Sequence, residues 1–181
     1  MSVTTIPTAG IADNAVTVAK TSGVGITMAD QWRLTSGLDV ASGVNDITAN
    51  LSQVSGDGFG VLGSSMTESS GIFTFPSTGI YLITAHAYIF RNSGAAEYVG
   101  ITIKTTTDNS SYGTAAQSYG NVENTVNEHS EATVAFQFDV TNTSTHKVKF
   151  STDSSDNNTV RLGGSSSQSQ TFFTFIRLGD T

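Results

Sequence analysis

From about residue 30 onward, short runs of alternating apolar and polar residues are separated by clusters of Gly, Ser, Asn and Asp. The clearest run is Ala132–Val140. Val134, Phe136, Phe138 and Val140 fall on one face, and Thr133, Gln137 and Asp139 on the other. A period of two is that of a strand with one face on a core. Tyr81, Ile83, Ala85, Ala87 and Ile89 likewise share a face of a long strand, with His86 opposite. Val148 and Phe150 alternate with Lys147 and Lys149, and Trp32 and Leu34 share a face near residue 30. In Thr171–Leu178, Phe172, Thr174, Ile176 and Leu178 lie on one side and Phe173 and Phe175 on the other. A strand apolar on both faces is expected in the middle of its sheet or against a neighbouring subunit. Asp46–Val54 and Glu97–Thr105 read as further strands. Residues 106–127 read as a long excursion or weak strands carrying Tyr112 and Tyr119. No periodic run sustains a substantial helix, so the fold class is all-β, an antiparallel sandwich.

The stretch Gly71–Ile83 reads as two strands joined by a Pro-Ser-Thr-Gly turn. Pro76 has no N–H and ends a ladder, and Gly79 gives the chain freedom to enter the next strand. The spacing Gly71-x-Phe73-x-x-Pro76-x-x-Gly79-x-Tyr81 resembles the signature hairpin of the C1q/TNF-like jelly roll, and the ending Thr171–Leu178 resembles that family's last strand. The resemblance spans roughly residues 30–180. It implies an antiparallel jelly-roll β-sandwich over residues 30–181 and threefold self-assembly. Tyr81, Ile83, His86, Phe173 and Phe175 are the candidates for the trimer interface; His86 reads first as an ordinary β-face histidine, the alternative being a ring of three around the axis that would make assembly sensitive to pH. The chain departs from the family in lacking a collagen-like stalk, in lacking cysteine, and in carrying Thr141–Thr145 where the family has a basic Gly-Asp turn. Complement-type partners are therefore not carried over.

Residues 1–29 differ from the rest. They hold small apolar residues and no large aromatic, so they cannot close a core and are expected to be an extended arm held by what it lies on. Ile11-x-Asp13-x-Ala15-Val16-Thr17-x-x-Lys20 resembles a unit of bacteriophage fibre proteins found in shafts and attachment segments. On that resemblance Ile6, Ile11, Val16, Val18 and Lys20 are the expected particle anchors.

Composition narrows the function. A net charge of −7 with eight Lys and Arg argues against nucleic acid, which is bound through basic side chains. There are no cysteines, so neither disulfides nor thiolate metal sites exist, and stability is expected from surface buried between subunits. Neither a signal peptide nor a membrane-spanning run is recognisable, which reads as a soluble protein made in the cytoplasm, without membrane insertion. Gly58-x-Gly60-x-x-Gly63 matches a dinucleotide fingerprint as a string, but Ser64–Ser70 cannot supply the helix that motif needs. Asp153, Asp156 and Asn157 suit a turn better than a calcium loop, and Asp57 is a similar case. No serine stands in a nucleophile motif, and Glu123, Glu128, Glu131 and Asp139 read as a solvated rim rather than a glycosidase pair. No catalytic, cofactor-binding or metal-ligating residue is expected. Tyr88, Tyr98, Tyr112 and Tyr119, set among Asn and Ser, are the candidates for a recognition surface, since tyrosine binds sugars and proteins at small entropic cost; the alternative is that two or more of them belong to the core.

These readings converge on a non-enzymatic bacteriophage structural protein at the virion surface. It is expected to be a homotrimer fastened by its arm to a capsid or tail protein, and best suited to capsid decoration (cement) or a head fibre. The alternatives are a tail-fibre tip that recognises a host surface glycan or protein, and a free C1q-like lectin or adhesin.

Overall fold

The structure, a computed structural model, describes residues 25–56 and 58–181. They form thirteen strands and no helix: β1 Met28–Leu34, β2 Ser36–Asp39, β3 Gly43–Asp46, β4 Leu51–Gln53, β5 Thr67–Ser69, β6 Ile72–Thr74, β7 Gly79–Arg91, β8 Ala96–Thr106, β9 Gly113–Val122, β10 His129–Val140, β11 Lys147–Ser154, β12 Val160–Ser165 and β13 Phe172–Gly179. All pairings are antiparallel. The larger sheet runs β2-β12-β7-β13-β1-β4, with β10 along the other edge of β7. The smaller runs β5-β6-β11-β8-β9, with β3 also on β11.

The predicted alternations place the core. Tyr81, Ile83, Ala85, Ala87 and Ile89 of β7 and Phe173 and Phe175 of β13 point inward and are fully buried. From the opposite sheet come Phe73, Val99, Ile101, Ile103, Val148 and Phe150. The sheets are joined by aromatic contacts: Phe150 stacks on Phe173 at 4.0 Å, and Phe73 meets Trp32 edge to face at 5.3 Å and Phe175 at 5.2 Å. Such pairs add to the large area each ring removes from water. On β10, Phe138 and Val140 are buried, while Val134 and Phe136 are half-buried because this strand is an edge.

Three expectations change. Gly71–Ile83 is not a hairpin: β6 pairs with β5 and β11, whereas β7 pairs with β10, β12 and β13, so the segment arches from one sheet to the other. Pro76 ends the first ladder, Gly79 enters the second at φ 146°, and the Tyr81 hydroxyl donates back to the Ser77 carbonyl at 2.9 Å. Asp46–Val54 is not one strand either. It divides between β3 in the smaller sheet and β4 in the larger, turning at Asn50, whose φ is 60°. Residues 113–122, read as weak, form the ten-residue β9 along the whole of β8.

The central position expected for the last strand is observed, with β13 between β7 and β1. β1 opens at Met28, two residues ahead of the expected boundary. It brings in Asp30, 2% exposed, whose carboxylate accepts four bonds: Oδ1 from the Gln31 N–H and Gln53 Nε2, Oδ2 from Trp32 Nε1 and the Met66 N–H. One buried side chain thus ties β1, β4 and the segment before β5 together.

Candidate functional site

Two surfaces on opposite sides of the sandwich carry the expected functional residues. The first is the outer face of the larger sheet. Because side chains alternate, the residues between the buried positions of β7 all face outward: Ile80, Leu82, Thr84, His86, Tyr88 and Phe90. Phe172, Thr174 and Ile176 of β13 stand opposite His86, Thr84 and Leu82, and all three remain partly accessible. His86 stacks on Phe172 at 4.9 Å, and its Nδ1 is 2.8 Å from the Thr133 hydroxyl on β10. Tyr88 stacks on His129 at 5.4 Å, and its hydroxyl lies 2.9 Å from His129 Nδ1. The result is a field of Leu, Ile, Phe and Tyr, ordered in part by stacking and left half-buried among the described residues.

Of the five residues expected at a trimer interface, only His86 belongs to this field. Tyr81, Ile83, Phe173 and Phe175 are fully buried within the chain, on the opposite face of the same strands. They hold the sandwich together and have no surface left for a neighbour. The parity of the alternation was right, but the apolar face that stays open is the one carrying Leu82, Phe172 and Ile176.

The second surface is on the smaller sheet. Val44, Asp153, Gly100 and Tyr119 form a row across β3, β11, β8 and β9. A Cβ at Gly100 would lie 2.4 Å from a Tyr119 ring carbon, so glycine there lets the ring lie across the strand. The Tyr119 hydroxyl donates to Asp153 Oδ2 at 2.7 Å. This bond, with burial and the nearby charge adding to it, pushes the Tyr119 pKa up to about 12. Tyr98 stands at 89° to Tyr119 with ring centroids 5.6 Å apart, and each is 41% exposed. Tyr98, Tyr119 and Asp153 line an open cleft of about 480 Å³.

The four tyrosines expected to form one recognition surface therefore separate. Tyr98 and Tyr119 come together, while Tyr88 lies on the other side of the molecule. Tyr112 is half-buried beneath Lys149, whose ammonium is 4.4 Å from the ring centre. Lys149 and Lys104 both reach Asp46, at 2.5 and 3.3 Å, and Ser151 donates to the same carboxylate at 2.6 Å. Burial alone would raise the Asp46 pKa. The bonds from Lys149, Ser151 and Lys104 outweigh it and hold the carboxyl below its ordinary value. Asp153 is not a turn residue but a strand residue bound to a tyrosine 34 positions away, a pairing with no local signal in the sequence.

The remaining candidates lie apart. His146 is buried and stacked on Phe138 at 5.6 Å. Among the described residues no three His, Asp or Glu side chains cluster at metal-binding spacing. Glu131 and Asp139 are eight residues apart on one face of β10, about 27 Å at the rise of a strand, too far for a glycosidase pair. A Cβ at Gly63 would lie 2.3 Å from the Thr27 carbonyl oxygen, so this glycine allows a close backbone approach and is not part of a phosphate cradle. Ile6, Ile11, Val16, Val18 and Lys20 lie outside the described residues, as does Asp57.

No protein-family model and no curated protein matches the chain. Solved structures do. Murine APRIL at pH 8.5 superposes with a TM-score of 0.58 at 14% identity, over 83% of this chain and 98% of that one. The Eiger TNF from S. frugiperda does so with a TM-score of 0.59 at 12% identity, over 87% and 96% respectively. At these identities the likeness is one of fold, and the fold is an antiparallel jelly-roll sandwich of the TNF/C1q-like type.

Proposed function

We propose that this protein is a non-enzymatic structural component of a bacteriophage particle, a homotrimer fastened to the virion by residues 1–29 and used as capsid decoration or as a head fibre. The observation that carries self-association is the outer face of the larger sheet. A single chain leaves Leu82, Phe172, Ile176 and Tyr88 partly in water there, with no covering element among the described residues. Contiguous apolar surface of this kind marks a contact between molecules. A TNF-like jelly roll with that face turned inward is suited to closed threefold assembly. Attachment to a phage particle rests on the fibre-like phrase Gly10–Lys20.

Light scattering should return about three times the 18.9 kDa chain mass, and a stable monomer at micromolar concentration would refute the assembly. A chain lacking residues 1–24, which leaves β1 whole, should remain trimeric but no longer bind particles. If it still decorated them, the arm would not be the anchor.

The paired Tyr98 and Tyr119 favour a second reading, a receptor-binding tip of a tail fibre. They project from the smaller sheet, on the side away from the proposed contact. Adsorption of the purified protein to host cells, lost on replacing these tyrosines, would distinguish it from decoration.

A further inference from the structure

We propose that the corner formed by Tyr98, Tyr119 and Asp153 binds an organic ammonium group. Two tyrosine rings at 89° with centroids 5.6 Å apart make two walls whose π-faces carry negative potential. The corner is built before any ligand arrives. The Tyr119 ring is seated on Gly100 and its hydroxyl is held by Asp153, yet both rings keep 41% of their surface open.

Charge selects the ligand. Asp153 takes part in no ion pair among the described residues, whose four pairs involve Asp39, Asp46 (twice) and Asp180. Glu97 adjoins Tyr98, and Asp156 accepts a hydrogen bond from Ser155, whose backbone N–H in turn bonds the Tyr98 carbonyl. The lysines of the same strands, Lys104 and Lys149, stand four residues along, about 13 Å at the rise of a strand, and both are engaged with Asp46. An anion would be repelled here. A neutral sugar could stack on a ring and donate to Asp153, but would leave the charge of that carboxylate without a counter-ion. A compact cation meets two ring faces and a carboxylate. Both a trimethylammonium headgroup and a lysine side chain have this chemistry, and the site serves either whichever structure carries the protein.

The test is a titration of the full-length protein with choline chloride at constant ionic strength, followed by NMR of the tyrosine rings. 3,3-Dimethylbutanol serves as the neutral probe of the same shape, and Nα-acetyl-lysine methylamide as the primary ammonium. Saturation by an ammonium compound is expected at a dissociation constant on the order of 1 mM, with the neutral probe about tenfold weaker. The tighter of the two ammonium probes identifies the source of the natural ligand. Tyr98→Leu and Asp153→Asn should each weaken binding several-fold while the thermal transition is retained, and Ile72→Ala, exposed on β6 of the same sheet, should leave it unchanged. Equal binding of choline and dimethylbutanol would overturn the proposal. So would tighter, tyrosine-dependent saturation by methyl glucoside or N-acetylglucosamine, or no saturation by any ammonium probe at 50 mM.

Discussion

Asp153 acts through a tyrosine, and the link can be measured. A Tyr119 phenol that donates to a carboxylate resists losing its proton, so Tyr119 should ionise near pH 12. The pKa is raised in the folded state. The stabilisation is therefore complete below the unfolded value near 10 and is lost as pH rises toward 12. Absorbance titration at 295 nm should show the late step in the native chain and its return to the main transition in Asp153→Ala. Asp30 is the corresponding residue in the core. Asp30→Ala leaves four donors without their acceptor and should cost about 3 kcal/mol or more in urea unfolding. Neither role was legible in the sequence. Asp30 looked like an ordinary opening residue and Asp153 like part of a turn, because their partners come from strands that only the fold brings close.

Elements were legible where large apolar residues alternate. β7, β10, β11 and β13 all have the faces that their period assigns. Phe173→Ala, in the most tightly stacked part of the core, should destabilise the chain by about 3–5 kcal/mol. Legibility failed in two ways. β9 carries Ala, Ser, Gly and Gln where a strand signal would be large side chains, and it is defined by its ladder with β8 rather than by its own preference. The segments Asp46–Val54 and Gly71–Ile83 have strand-like patterns, but the pattern does not say which sheet receives each half. The arch at Pro76 should be sensitive to Tyr81→Phe, which leaves the Ser77 carbonyl without its donor and should cost about 1–2 kcal/mol, read as a shift in the unfolding midpoint.

For the whole molecule, periodicity reveals that β7 and β13 have two apolar faces, and only the completed sandwich shows which one is spent within the chain. Leu82→Glu or Ile176→Glu, each at a half-buried outward position, should lower the light-scattering mass toward one chain without abolishing the β-sheet circular dichroism signal. Glutamate placed at Ile83, on the inner face, should prevent folding altogether. Acid should act at a different point. The Asp46 pKa is depressed in the folded state, so the tie from β3 to Lys104 and Lys149 holds above the ordinary carboxylate range and is lost as pH falls below it. Loss of that tie should appear as faster amide exchange in Gly43–Asp46 before the rest of the smaller sheet.

Of the thirteen strands, β13 follows the other twelve in order, yet it is the partner on which both β1 and β7 close. A ribosome that has released everything up to Gln170 has thus made a sandwich with a slot in it, bordered by two rows of unpaired amides. Until Phe172–Gly179 follows, those rows are free to capture a strand from elsewhere. Copies synthesised side by side would then be exposed to exchanging this strand before each has filled its own slot.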